Sequence, residues 1–204
     1  MDGIDHIMRA APVIPVLVID DVAQAGPLAE ALVAGGLTQL EVTLRTPCAL
    51  EAIAEMSAVA GAVVGAGTVL NETQLEDVAR AGAKFVVSPG LTAPLAKAAA
   101  DMQMPFLPGV ANAGDIMRGL DLGLSHFKFF PAVASGGLPA LKALSAPFHS
   151  CQFCPTGGIT LASAPDWLAQ RSVLCVGGSW IVPKGPLALD QVRANAAAAA
   201  ALTR

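Results

Sequence analysis

Short apolar runs and helix-like segments alternate along almost the whole of this chain, and that alternation constrains its fold more than any other feature. The runs cover residues 13–19, 39–44, 62–67, 84–88, 105–110, 125–130, 152–155 and 173–176. Between them, apolar residues recur with helical spacing over 23–34, 47–60, 71–82, 92–102, 113–122, 138–144, 164–169 and 187–202. Pro47 suits a first helical turn, and Gly35-Gly36 and Gly82 suit helix ends. Strictly alternating strand and helix units predict a parallel sheet. Eight such units with no internal linker predict a closed α/β structure, the (β/α)8 TIM barrel, as one compact domain over residues 1–204. An open doubly wound sheet is the runner-up, but it calls for a glycine-rich turn after the first strand, and Ile19-Asp20-Asp21 supplies none. Residues 3–10 read as an extra amino-terminal helix closing the bottom of the barrel.

Composition fits strands buried on both faces: 54% of residues are hydrophobic and only 14% charged, which excludes disorder. Aromatics make up 4%, so small residues let the helices lie close on the sheet. The net charge is −4 and no basic cluster occurs, which argues against a nucleic-acid or anionic-membrane partner. No apolar stretch reaches the length of a membrane span. The first residues, Met1 to His6, lack a basic segment followed by an apolar core, so a cytoplasmic location is expected.

Lys128 stands out within His126-Phe-Lys-Phe-Phe-Pro131. Burying an ammonium among rings disfavours the charged form, and a neutral amine can attack a carbonyl to form a Schiff base. The alternative is a lysine with a buried stem and a wet head. In a barrel of this kind the active site lies at the carboxyl ends of the strands. Lys128 and Phe130 fall there on the sixth run. So do Glu41 and Arg45 on the second, Thr68 on the third, and Thr156, Gly157 and Gly158 on the seventh. Gly177, Gly178 and Ser179 follow the eighth. A carboxylate within an apolar strand needs a partner, so Glu41 reads as an ion-pair member with Arg45 or Lys128, as a general acid/base, or as both. The glycine pairs read as tight turns whose amides can approach a phosphate.

The histidines His6, His126 and His149 have no metal-ligand spacing, and no metal or cofactor is expected. Of the four cysteines, Cys151 and Cys154 form a CxxC without a second pair or a histidine cluster. They read as small buried hydrophobes rather than zinc ligands.

Six motifs, in order, carry a family resemblance: Glu41-Val-Thr-Leu-Arg-Thr46, Gly65-Ala-Gly-Thr-Val69, Ser88-Pro-Gly-Leu91, Phe127-Lys-Phe-Phe-Pro-Ala132, Cys154-Pro-Thr-Gly-Gly-Ile159 and Gly177-Gly-Ser-Trp180. Over about residues 8 to 190 the chain resembles the class I 2-keto-3-deoxy-6-phosphogluconate (KDPG) aldolases of the Entner–Doudoroff pathway. These are often also credited with 4-hydroxy-2-oxoglutarate (KHG) aldolase activity. The resemblance implies Lys128 as the Schiff-base lysine and Glu41 as the general acid/base. It implies Arg45 and Thr68 on the pyruvyl carboxylate, Phe130 as a wall, and Thr156 on a substrate hydroxyl. Gly157, Gly158, Gly178 and Ser179 would hold the phosphate. It further implies a phosphorylated ketoacid substrate and a homotrimer. The sister aldolase for the galactonate epimer typically departs from the second-strand motif, which is intact here. A metal-dependent aldolase and a non-catalytic phosphate-binding barrel are the rival readings.

Overall fold

The computed structural model describes residues 3–183 and 185–204. Its strands are β1 (Val13–Leu17), β2 (Gln39–Thr43), β3 (Val63–Gly67), β4 (Val86–Val87), β5 (Phe106–Leu107), β6 (Gly109–Val110), β7 (His126–Phe129), β8 (Gln152–Pro155) and β9 (Val176–Gly178). They pair in parallel in the order β5-β4-β3-β2-β1-β9 and β6-β7-β8. Bridges Phe153↔Val173 and Thr156↔Gly177 join β8 to the β9 segment. The two ladders therefore curl into one (β/α)8 barrel, as the alternation predicts. The fifth run is split into β5 and β6 because Pro108 has no N–H to give the ladder. Its carbonyl still accepts from the Lys128 N–H at 2.8 Å.

The helices are α1 (Gly3–Ala10), α2 (Ala25–Ala34), α3 (Ala49–Ser57), α4 (Glu72–Arg80), α5 (Ala93–Asp101), α6 (Ala113–Asp121), α7 (Gly137–Ser145), α8 (Ala164–Leu168) and α9 (Leu189–Ala200). The 23–34 segment departs slightly from a plain helix. A 3-10 turn at Val22–Gln24 leads into α2, and Asp21 starts it by accepting from the Ala23 N–H at 3.0 Å. Asn71 and Asn112 cap α4 and α6 in the same way, accepting from the N–H groups of Gln74 and Asp115.

Alternation along the strands produces two cores. One lies between sheet and helices and takes Val42, Val64, Val86, Phe127, Phe129 and Phe153. The other fills the barrel and takes Ile14, Phe85, Val87, Leu107, Cys154 and Cys175. Helix α1 plugs the amino-terminal end with Ile4, Ile7 and Met8, an i, i+3, i+4 stripe buried in the inner core. Cys151 and Cys154 are both buried but lie in different cores, so this CxxC does not gather its thiols on one metal.

The eighth run is displaced from its expected place. Val173 makes only a bridge, and the ladder runs over Val176–Gly178, where Gly177 and Gly178 pair with Ile14 and Pro15 of β1. The expected Gly177-Gly178 turn is thus strand. Its glycines serve close packing: a Cβ on Gly177 would lie 2.7 Å from the Thr156 methyl carbon, and one on Gly178 would run into the Trp180 ring.

Candidate active site

Strand β7 points Lys128 into the barrel and its neighbours outward. Phe127 packs on Phe153 and Phe129 on Trp167, in the outer core. The aromatic run therefore does not enclose the lysine from both sides, as its sequence suggests. Phe130 alone supplies a ring, with Lys128 Nζ 5.1 Å from its centroid.

Lys128 is nevertheless buried, and so is Glu41, at 6% and 3% exposed. Lys128 Nζ donates to Glu41 Oε1 at 3.1 Å across the barrel. Each charge compensates the other, since an unpaired charge at such a site costs several kcal/mol, roughly. Of the two expected partners, Glu41 takes Lys128. Arg45 stands exposed at the mouth, with no ion pair among the described residues, free to meet an anion.

Of the pair, Lys128 borders a cavity of about 310 Å³, whose wall also takes in Arg45, Thr68, Phe130, Thr156, Gly157, Gly158 and Ser179. The remaining two predicted site residues differ. Glu41 reaches the cavity through Lys128, whereas Gly178 is not in the wall and lies against Trp180. Val16, Pro89, Ile159 and Gly177 complete the lining. Val16 carried no sequence signal, being an apolar residue in an apolar run, and Ile159 lies in the Cys154–Ile159 motif but drew no role there. A larger space of about 690 Å³ adjoins the mouth and shares Val16, Arg45 and Ser179.

Two backbone features shape this cavity. Thr68 has φ +62°, an outlier for a β-branched residue and a strain of about 1–3 kcal/mol. Gly157 and Gly158 have φ +105° and +79°, the conformation a tight glycine turn requires. The turn is tied back to the end of β7, where the Ala132 and Val133 N–H groups donate to the Thr156 and Gly157 carbonyls. Thr156 itself is buried, and its hydroxyl donates to the Cys154 carbonyl at 3.4 Å.

A buried amine, a carboxylate at hydrogen-bond distance, a free guanidinium and a glycine turn around one cavity suit covalent chemistry on an anionic carbonyl compound. At the opposite end of the barrel a cavity of about 270 Å³ is bordered by His126 and Ser125 but by no lysine or carboxylate. Size alone would not separate the two spaces; the groups in their walls do.

Comparison with known proteins agrees with this geometry. The family model for KDPG and KHG aldolase matches residues 4–196. The 2-dehydro-3-deoxy-phosphogluconate aldolase of Zymomonas mobilis is 61% identical over 204 residues, covering 100% of this chain and 98% of the relative. A crystal structure of the Z. mobilis 2-keto-3-deoxy-6-phosphogluconate aldolase with 3-phosphoglycerate superposes with a TM-score of 0.99 at 61% identity, covering 100% and 98% of the two chains. The KDPG aldolase of Legionella pneumophila, with pyruvate captured as a covalent carbinolamine, superposes at 0.93 with 45% identity, covering 97% and 98%. The chain belongs to the KDPG and KHG aldolase family.

Proposed function

We propose that this chain is a class I aldolase, a single domain over residues 1–204. It cleaves 2-dehydro-3-deoxy-6-phosphogluconate to pyruvate and glyceraldehyde 3-phosphate, and it also acts on 4-hydroxy-2-oxoglutarate. The observation that carries the reading is the buried Lys128–Glu41 pair at 3.1 Å beside the cavity.

Lys128, an ammonium while paired with Glu41, attacks the C2 carbonyl as the free amine, and the proton it gave up returns as water leaves, giving a protonated imine. Glu41 takes the proton of the C4 hydroxyl. The C3–C4 bond breaks, its electron pair moves to the imine as an enamine, and the aldehyde leaves. Glu41 returns the proton to C3, and hydrolysis frees pyruvate and Lys128. The protonated imine is itself the electron sink, so the scheme calls for no metal. Arg45 and Thr68 hold the carboxylate, Phe130 walls the reacting carbons, and Thr156 meets a substrate hydroxyl. Ser179 and the Gly157-Gly158 turn take the phosphate, with Gly178 as backbone support. Holding the phosphate at a distance from the broken bond orients the reacting atoms. The homotrimer and the cytoplasmic location rest on the family resemblance. Met1 and Asp2 lie outside the described residues. Among the described residues no helix is long and apolar enough to cross a membrane.

Borohydride reduction with pyruvate tests the assignment. A covalent mass gain is expected at Lys128, and Lys128→Ala is expected to abolish it and to lower turnover by roughly 10⁴-fold or more. Lys84, Lys97 and Lys142 are exposed and border no part of the cavity; Lys184 lies outside the described residues. An adduct on any of these four would overturn the assignment. Comparing cleavage of the gluconate and galactonate epimers then fixes the substrate.

A further inference from the structure

The carboxylate of Glu41 is held against one residue that has no role in the scheme above. A Cβ built on Gly67, the last residue of β3, would lie 2.8 Å from Glu41 Cγ and 2.9 Å from Cδ, and closer still to Oε1. Real side chains do not pack so tightly. The atom most crowded, Oε1, is the one that accepts from Lys128 Nζ. Glu41 is paired in register with Gly65, and Gly67 with Thr43, so the Glu41 side chain leans along β3 toward the mouth and lies over the bare Cα of Gly67. Room to retreat is scarce, because Glu41 is 3% exposed.

We propose that Gly67 is a positioning residue for the proton-transfer step: its missing side chain is the seat of the Glu41 carboxylate. Any Cβ there drives Oε1 off Lys128, and its three nearest atoms are all Glu41's, none the amine's. This rests on the aldolase reading of the site. It separates two halves of the mechanism, imine formation at Lys128 and proton transfer at Glu41. Gly67 serves the second only.

The experiment compares the full-length parent with Gly67→Ala in two assays. One is borohydride trapping of pyruvate on Lys128. The other is exchange of the pyruvate methyl protons with deuterium, which reports proton transfer to and from the enamine carbon. Gly67→Ala is expected to retain trapping and to lose about a hundredfold in exchange, the scale of a displaced general base. Losing both by the same factor, or neither, overturns the proposal. The double variant Gly67→Ala/Glu41→Asp draws the carboxylate back by one methylene, and its exchange is expected to exceed that of Gly67→Ala alone; an exchange no higher counts against the proposal.

If Gly67→Ala does not fold, the change is made in a Glu41→Ala background, where the new methyl meets no carboxylate. Folding in that background supports the proposal, and failure in both assigns Gly67 to the backbone alone and overturns it. Absence of a trapped adduct in the parent would instead remove the aldolase reading.

Discussion

Two inward-pointing side chains of β7, two residues apart, each reach an acidic partner. Lys128 meets Glu41 at 3.1 Å, with the side chains 7% and 4% exposed. His126 meets Asp5 at 3.0 Å, with 11% and 17% exposed. Distance does not distinguish the pairs; their surroundings do. Glu41 has no other partner among the described residues, and its lysine faces a cavity bordered by Arg45 and Phe130. Asp5 also takes both its oxygens to Arg9 Nε within α1, and His126 is further bonded to Ser125. The upper pair is isolated and poised over open space. The lower pair is satisfied several times over and fastens α1 across the barrel end. Both pairs have space beside them, so such a contact signals chemistry here through its few other commitments and the groups that line that space.

The largest effect that could break this contrast comes from Glu41→Gln. It keeps the shape and removes the proton carrier, so kcat is expected to fall by roughly 10² to 10⁴. It also strips a buried partner, which costs about 3–5 kcal/mol, so thermal unfolding should shift downward as well. Steady-state kinetics and calorimetry check both, and a parent-like Tm would show that the upper pair was never isolated.

Asp5→Asn tests the other end. Its loss is expected to be smaller, about 1–2 kcal/mol, as for a partly buried hydrogen-bonded pair, with kcat unchanged. A smaller, pH-bound signature accompanies it. The Arg9 hydrogen bond chiefly, and then that of His126, hold the Asp5 carboxyl below its ordinary value of 3.8, with burial opposing them. A lowered folded value means stability that is present above the unfolded value and lost as pH falls through the folded one. Acid unfolding should therefore steepen below about pH 3.8, and less so in Asp5→Asn. A change in kcat at neutral pH would instead link the plug to catalysis.

The smallest effect concerns the material between the pairs. Cys154 and Cys175 lie in the inner core, with Cys154 in register with Lys128. Burial first, then the neighbouring Cys154, pushes the Cys175 thiol well up, so it stays protonated through neutral pH. Half-buried Cys48 should react with a thiol reagent in the folded enzyme. Cys151, Cys154 and Cys175 should react only in denaturant, as mass spectrometry can show. Labelling of Cys154 in the native state would mean that the catalytic cavity reaches deeper than the contrast allows.

Some of this was legible in the residues alone, and some was not. The plug helix at Gly3–Ala10 was legible as an extra helix, and the structure adds its buried stripe of Ile4, Ile7 and Met8. The pairing of Glu41 was legible only as a need for a partner. Arg45, four residues away in sequence, and Lys128 were equal candidates until the barrel placed β2 and β7 across from each other. Gly177 and Gly178 were read as a turn because two glycines usually signal one. They are strand because Thr156 and Trp180 pack where their side chains would be. The aromatic run around Lys128 misled in the same way, since alternation turns Phe127 and Phe129 away from the residue they flank.

By itself the sequence determined the order and kind of the elements and which strand ends carry unusual residues. Those depend on local periodicity and on residue chemistry. Tertiary structure alone decided which residues meet. Closing the barrel brings together Glu41 and Lys128, 87 positions apart, and sets Asp5 under His126, 121 positions apart. It also turned glycines into seats for neighbouring side chains. Contacts of that range follow from how the strands curl and stagger, and no local pattern of residues encodes them.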